Sequence, residues 1–201
     1  MTLPAHVLPV RPEHAYRLLN HGPTLLVSSA HGGRSNVMAA AWNMPLEFSP
    51  PRLAVVIDKS TLTRELVEAS GQLVLNLPPA ALADACFAVG SASGRALAAP
   101  PDKFAAYGLE RWATPGVEAP LVGGCLAWLA CRVLPEAHVQ TAYDLFVLEV
   151  TAAWADQRVF EGGRWRPLDQ IPPALRTLHH LGGGQFWVPG QALQARPPAR
   201  P

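Results

Sequence analysis

One segment of the chain reads Arg34-Ser35-Asn36-Val37-Met38-Ala39-Ala40-Ala41-Trp42-Asn43-Met44, and it follows a paired-glycine turn at Gly32-Gly33. Paired glycines supply positive φ, so the pattern predicts a strand returning from a hairpin. Three alanines stand where a core strand usually carries bulky branched side chains. Small side chains let a flat heterocycle approach the backbone, whose N–H and C=O groups can bond its polar rim. A plain strand packed beneath a helix has the same composition, so both interpretations stay open.

The segments around this strand follow a specific order. They are Leu53–Ile57, Asp58-Lys59-Ser60-Thr61-Leu62-Thr63, Leu73–Pro78, Ser93-Gly94-Arg95 and Asp102-Lys103-Phe104. In this order and spacing, residues 20–155 resemble the flavin reductase-like family of FMN-binding split barrels, which includes flavoredoxins. The tail at Thr177–His180, followed by three glycines, resembles one branch of that family.

The fold expected from the resemblance is a single-domain, FMN-binding split β-barrel, mainly β with peripheral helices. The pattern of the sequence agrees, because strands connected by hairpins and separated by short helices favour a barrel with helices packed outside. We expect a barrel core at about residues 20–155 and a C-terminal extension at 156–201 within one domain spanning 1–201. The element pattern predicts strands at 52–58 and 72–77 and helices at 60–70 and 172–180, with a loop at 45–51 and irregular structure at 113–124.

The resemblance also implies a set of cofactor-binding residues. They are Asn36, Val37, Met38, Ala39, Ala40, Ala41, Trp42, Ser60, Thr61, Thr63, Lys103 and Phe104. Asn36 and the backbone of residues 38–41 would line the isoalloxazine ring, and Trp42 would pack beside it.

The junction at residues 58–64 joins a buried strand to a helix and is a candidate phosphate site. Helix N-termini present unsatisfied N–H groups and partial positive charge, which favour a phosphate. The hydroxyls of Ser60, Thr61 and Thr63 add donors, although Ser and Thr are also favoured as ordinary N-caps.

Lys103 is a second phosphate candidate through the resemblance. Here the chain departs from the family pattern, because residues 96–101 intervene after Ser93-Gly94-Arg95 as an insertion. A solvated lysine on a short helix is the alternative interpretation.

The motifs of other enzyme classes do not occur in the sequence. The segment Gly90-Ser91-Ala92-Ser93-Gly94 has alanine where a nucleophile elbow needs serine, and no Gly-x-Gly-x-x-Gly occurs. His179 and His180 are adjacent, which is not the spacing of a zinc-binding helix. We therefore predict no catalytic side chain and no metal site, since a bound cofactor carries the chemistry in such proteins.

The expected function is an FMN-binding oxidoreductase, either an NAD(P)H:flavin reductase or a flavoredoxin-like electron carrier. NAD(P)H is the expected co-substrate, although Tyr143 stands where many relatives have histidine and Leu148 where many have glycine. The alternatives are a non-catalytic flavin- or haem-binding split barrel and an interaction domain that has lost its ligand. The family also implies a homodimer with the flavin near its interface, and a monooxygenase or another protein as electron acceptor.

Composition limits the other classes of function. Of 201 residues, 49% are apolar and 15% are charged, and the formal net charge is +1, so a nucleic-acid-binding role is not expected. The sequence has three cysteines, an odd set, which predicts reduced thiols and a cytoplasmic protein. No signal peptide and no apolar run long enough for a membrane span are expected.

Overall fold

Antiparallel β-structure dominates the computed structural model, which describes residues 3–97 and 102–196. The strands are β1 Val7–Val10, β2 Leu25–His31, β3 Arg34–Ala40, β4 Asn43–Phe48, β5 Pro51–Val56, β6 Gln72–Leu77, β7 Arg111–Thr114, β8 Val117–Val122, β9 Ala127–Leu134, β10 Leu145–Asp156, β11 Phe160–Glu161, β12 Arg164–Trp165, β13 His179–Gly182 and β14 Gln185–Trp187. The prediction of a mainly β, single-domain fold is confirmed.

The helices are short and lie between strands. The α-helices are α1 Leu62–Ser70, α2 Ala83–Ser91, α3 Lys103–Ala106 and α4 Ala137–Tyr143, and the 3₁₀ helices are Pro12–Leu18, Ala80–Leu82, Leu168–Gln170 and Pro173–Leu175. Helix α1 begins after Thr61, whose side chain accepts a hydrogen bond from the Arg64 N–H, and it ends at Gly71 with φ +69°. Glycine adopts this left-handed conformation at little cost, which explains the sharp end of the helix.

The main sheet is curled, and its two end strands are neighbours in the sequence. Its strand order is β3-β2-β6-β9-β10-β5-β4, and β1 pairs with the last residues of β10. The outermost strands β3 and β4 are consecutive, separated only by Ala41 and Trp42. The carbonyl of Trp42 accepts a hydrogen bond from the Val56 N–H at 3.0 Å. The two end strands of the sheet are thus joined by a two-residue connection, in keeping with the split-barrel fold.

Strand β6 shows why the central strands read as continuous apolar runs. Leu73, Leu75 and Leu77 pack into one hydrophobic cluster, and Val74 packs into a second cluster on the opposite face. Side chains alternate between the faces of a strand, so a strand buried on both faces is largely apolar. The buried Asn76 of β6 is accommodated because it donates to the Leu26 carbonyl and accepts from the Val122 N–H, each at 2.8 Å. The first cluster lies within the curl of the sheet, and the second lies under α2, α3 and the β7–β8 hairpin.

Several sequence-based element predictions were wrong. Residues 45–51, expected as a loop, contain most of β4, and residues 113–124, expected as irregular, contain most of the β7–β8 hairpin. Residues 172–180, expected as a helix, form a single 3₁₀ turn and then enter β13. The predicted strand at 72–77 is confirmed by β6, and the bounds of the domain and of its extension stay a prediction.

Two further observations concern the surroundings of the fold. Cys86, Cys125 and Cys131 are buried and unpaired. Within residues 3–97 and 102–196, every helix is too short or too polar to cross a membrane.

Candidate functional site

A cleft of about 490 Å³ runs along the outer edge of β3. Met38, Ala39, Ala40, Ala41 and Trp42 form one wall of this cleft. Its volume lies within the range of small-molecule sites, about 300–1,000 Å³. The wall is the segment that the sequence singled out for its small side chains.

The opposite wall comes from three other parts of the fold. Helix α2 contributes Cys86, Phe87, Gly90 and Ser91, and the β13–β14 hairpin contributes His180 and Phe186. Val56 at the end of β5, Asp58 just after it and Thr24 complete the lining. Sequence reasoning missed the residues from α2 and the hairpin, because contacts so distant in the chain leave no local pattern. The only available signal was the resemblance of the tail at residues 177–184.

The geometry of β3 suits a flat ligand. Because β3 is the last strand of the sheet, its outer edge presents backbone N–H and C=O groups that no strand pairs. The side chain of Ala40 is 7% exposed and packs into the first cluster, whereas Ala39 faces α2, where a Cβ built on Gly90 would lie 3.1 Å from its Cβ. Trp42 is 75% exposed and lies at the mouth of the cleft.

Two of the predicted residues have side chains in the core. Val37 and Phe104 are fully buried in the second cluster, and the guanidinium carbon of Arg111 lies 4.5 Å from the Phe104 ring centroid. They therefore support β3 and α3 by packing, and neither lines the cleft.

Asn36 and Thr63 form a buried polar pair beside the cleft. The Asn36 amide donates to the Thr63 hydroxyl at 2.8 Å, and both residues are at most 3% exposed. A Cβ on Gly94 would collide with the Asn36 side-chain amide, so the loop after α2 requires glycine at this position. Gly94 thus lies against Asn36 near the start of β3.

The hydroxyls of Ser60 and Thr61 already have partners within the chain. Ser60 Oγ donates to Asp58 Oδ1 at 2.6 Å, and Thr61 Oγ1 accepts from the Arg64 N–H at 3.1 Å. The Ser60 hydroxyl and the Ser60 N–H both donate to the Asp58 carboxylate and lower its pKa. Thr61 is therefore the N-cap that the alternative interpretation expected, and the role of these residues toward a phosphate stays a prediction.

Lys103 is a buried cation that does not line the cleft but contacts helix α2, which forms part of the cleft wall. Lys103 is 3% exposed, and its Nζ donates a hydrogen bond to the Val89 carbonyl at 2.7 Å. Val89 directly precedes Gly90, which lines the cleft. Burial lowers the pKa of Lys103 to about 8. Among the described residues no carboxylate lies within 4.0 Å of it. A buried ammonium without a counter-ion favours an anionic ligand.

The preceding insertion lies largely outside the described residues. It was predicted at residues 96–101, of which the structure describes 96 and 97. Lys103 itself opens α3, which Asp102 caps by accepting from the Ala105 N–H. Asp102 also accepts from the Ser35 hydroxyl at 3.3 Å, which holds the start of α3 against β3.

The hairpin β13–β14 is held against the cleft by several contacts. The Thr24 N–H donates to the Leu178 carbonyl at 2.7 Å, and the His180 N–H donates to the Thr24 hydroxyl at 3.0 Å. Gly184 lies so close to the Phe87 ring that a Cβ there would come within 3.1 Å of it. His180 and Phe186 are thereby placed over the cleft.

Few side chains in the cleft can exchange protons. Asp58 has a lowered pKa and stays ionised, and burial raises the pKa of Cys86 to about 12. Among the described residues there is no cluster of three potential metal ligands. The lining of the cleft is thus suited to holding a flat, largely apolar group, and its titratable side chains are Asp58, Cys86 and His180.

Comparisons with known proteins show the family of the chain. Residues 17–174 match the family described as flavin reductase like domain. The uncharacterized protein YddH of Escherichia coli K12 is 48% identical over 191 residues, 94% of this chain and 97% of its own.

Two solved structures show the same fold. The FMN-binding domain of a flavin reductases-like enzyme from Shewanella baltica OS155 superposes with a TM-score of 0.90 at 46% identity, covering 94% of this chain and 97% of its own. Flavoredoxin of Desulfovibrio vulgaris (Miyazaki F) superposes with a TM-score of 0.72 at 22% identity, over 87% and 90% of the two chains, and shows likeness of fold alone. The resemblance predicted from the sequence is confirmed: the chain belongs to the flavin reductase-like family of FMN-binding split-barrel proteins.

Proposed function

We propose that this protein is an FMN-dependent oxidoreductase, acting as an NAD(P)H:flavin reductase or as a flavoredoxin-like electron carrier. The observation that carries the proposal is the cleft along β3, whose wall includes the alanines at 39–41 beside the outer edge of the strand, with the buried Lys103 bonded to the adjacent helix α2. The structure of the Shewanella baltica relative is described as an FMN-binding domain, and that relative matches nearly the whole chain.

The residues around the cleft fit an FMN molecule. The isoalloxazine would lie against residues 38–41, with Trp42 beside it at the mouth. The phosphate would bind at Lys103, whose ammonium lacks a counter-ion among the described residues, near Thr63 and the start of α1. Ser60 and Thr61 would contribute through the loop they shape rather than through free hydroxyls. When bound, FMN supplies hydride and single-electron chemistry.

The protein's own residues would bind the flavin, orient it and shield it from water. The outer edge of β3 offers backbone groups in fixed positions, which can hold polar ring atoms without reorganisation. The hairpin with His180 and Phe186 covers part of the cleft and excludes water from it. No side-chain acid or base is required for hydride transfer to a flavin.

Tyr143 lies on the outer side of the site. It is 65% exposed, and it precedes Asp144, whose carboxylate is 3.8 Å from Lys59 Nζ. This exposed tyrosine stands where many relatives have histidine, and NAD(P)H stays the proposed co-substrate.

We expect the purified protein to be yellow, with flavin absorption bands that bleach on adding NADH or NADPH without oxygen. Bands that appear but do not bleach would support the electron-carrier form, in which another protein reduces the flavin. A haem Soret band, or colourless protein that fails to bind added FMN, would contradict the proposal and favour the alternatives. The measurement is an anaerobic absorption titration.

We also propose that the protein is a homodimer with the flavin near its interface. Four large apolar side chains at alternate positions are strongly exposed: Trp42, Met44, Leu46 and Phe48, at 75%, 54%, 47% and 65%. They begin at the mouth of the cleft and continue along β4, the other end strand of the sheet. A contiguous apolar surface of this kind is typical of a protein–protein interface.

Leu46→Asp combined with Phe48→Asp is expected to convert the dimer into a monomer, because it places charges in the centre of this surface. Light scattering coupled to size-exclusion chromatography at micromolar concentration measures the mass. Leu193→Asp is the matched control, since Leu193 is 90% exposed outside this surface, and it should leave the dimer intact. A monomeric wild-type protein would disprove the proposal.

The cellular location and the electron acceptor are also proposals, and both are based on the sequence. We place the protein in the cytoplasm and propose a monooxygenase or another redox protein as electron acceptor. Its buried, unpaired cysteines are compatible with a reducing compartment.

A further inference from the structure

A second cavity, of about 700 Å³, shares no lining residue with the cleft along β3. It lies between the segment that follows the Pro12–Leu18 helix, the turn around β12 and the 3₁₀ turns at residues 168–175. None of the predicted cofactor-binding residues contributes to it.

The charges lining this cavity are all positive. Four arginines reach it: Arg17, Arg164, Arg166 and Arg176. No aspartate or glutamate is among its lining residues in the part of the chain that the structure describes. Arg166 is paired with Glu161 at 2.7 Å, whereas the other three have no carboxylate within 4.0 Å among the described residues. Neighbouring like charges repel one another, so an anion in the cavity would be stabilised.

Backbone carbonyls hold two of these guanidinium groups in place. Arg176 donates to the carbonyls of Leu168, Ile171 and Pro189, at 3.3, 3.3 and 3.1 Å. Arg17 donates to the Gly163 carbonyl at 2.9 Å. Arg164, in contrast, is exposed and makes no side-chain hydrogen bond to the described residues, so its planar fork is available to a ligand.

The rest of the wall is largely apolar. Trp165 contributes a half-buried indole, fixed by donation from Nε1 to the Arg17 carbonyl at 2.9 Å, and Leu168, Ile171 and Leu175 lie beside it. A mostly apolar cavity with a few charged groups at fixed positions is the usual form of a small-molecule site.

We propose that this cavity binds an amphipathic organic anion, a carboxylate on an aromatic or aliphatic body. The acid group contacts the arginines, with Arg164 closing on it, and the body packs against Trp165 and its apolar neighbours. This cavity is separate from the proposed FMN site, and ligand binding in the cavity does not depend on the proposed function.

The test uses 4-phenylbutyrate as probe and 4-phenyl-1-butanol as its neutral counterpart. Each is titrated into ¹⁵N-labelled protein, as purified and with added FMN, while the indole N–H signals of the six tryptophans are followed by NMR. Trp165→Phe assigns the signal from this cavity, and Trp42, which lines the other cleft, reports binding there. We expect 4-phenylbutyrate to shift the Trp165 signal at a concentration at least about tenfold lower than the alcohol does.

Arg164→Gln should weaken 4-phenylbutyrate about fivefold, because it removes an exposed charge-assisted contact without disturbing any internal bond. Arg132→Gln is the control, since Arg132 is also exposed and lies on β9 outside the cavity; it should leave the affinity unchanged. Equal effects of acid and alcohol, or a shift of Trp42 without Trp165, would overturn the proposal. Inorganic phosphate acting as strongly as 4-phenylbutyrate would overturn the amphipathic character of the ligand.

Discussion

Lys103→Met is expected to weaken FMN binding about a hundredfold and to leave riboflavin binding nearly unchanged. A hydrogen bond to a charged group contributes up to about 3 kcal/mol, and about 1.4 kcal/mol corresponds to tenfold in affinity. Riboflavin has no phosphate, so it tests the ring-binding part of the cleft alone. Titration of both flavins into apoprotein, followed by flavin fluorescence, measures the two affinities.

Lys59→Met is the matched control for this substitution. Lys59 directly follows Asp58 of the cleft lining, but its side chain is 71% exposed and its Nζ lies 3.8 Å from Asp144. Screening by solvent makes its expected effect on FMN less than about threefold. Equal weakening of FMN and riboflavin by Lys103→Met would show that Lys103 only stabilises the end of α2 through the Val89 carbonyl.

The pH dependence of binding gives a second view of the same group. Burial lowers the pKa of Lys103 to about 8, because it disfavours the charged form. The ammonium is the form that attracts phosphate, so FMN affinity of the wild type should fall as the pH rises above about 8. Lys103→Met should lose this dependence.

The sequence predicted the elements whose pattern is local. β6 matches its predicted bounds because its apolar run is bounded by turn residues at both ends. Strand β4 was missed because it is an exposed edge strand containing Pro45, and both features are typical of loops. Residues 172–180 carry helix-forming Ala and Leu, yet His180 in β13 is tied to Thr24, and this contact across 156 residues outweighs local propensity.

The residues of the candidate site also fall into two groups, those with a local signal in the sequence and those without one. The small residues at 39–41 could be singled out from the sequence, because alanines are unusual in a core strand, although a plain packed strand had the same composition. Cys86, Phe87 and Phe186 could not, since apolar residues in a helix or a short strand are ordinary core residues until the topology places them at a cleft. The junction at 58–64 lies between these cases: its residue types were informative, but only the structure shows that Arg64 is directed away from a ligand and into the protein.

Arg64→Leu is expected to lower the free energy of unfolding by about 3–5 kcal/mol, because it breaks a buried ionic network. Arg64 is 8% exposed and donates to Glu68, Asp144 and the carbonyls of Ile57 and Gln140, at distances from 2.5 to 3.1 Å. Its guanidinium carbon also lies 4.6 Å from the Phe146 ring centroid. One side chain thus joins α1 to the end of β5, to α4 and to β10.

Arg132→Leu serves as the control, since Arg132 is 55% exposed in its side chain and pairs with Glu149 on the surface at 2.7 Å. Surface pairs contribute about 0–1 kcal/mol, so the control should lose no more than that. Urea denaturation of both variants and of the wild type, without FMN, gives the comparison. The Asp144 side chain is 16% exposed, and without Arg64 its remaining cationic partner among the described residues is Lys59, at 3.8 Å. The loss of unfolding free energy should therefore exceed that of an ordinary surface pair. A variant with unchanged stability but weakened FMN binding would instead identify Arg64 as a phosphate ligand.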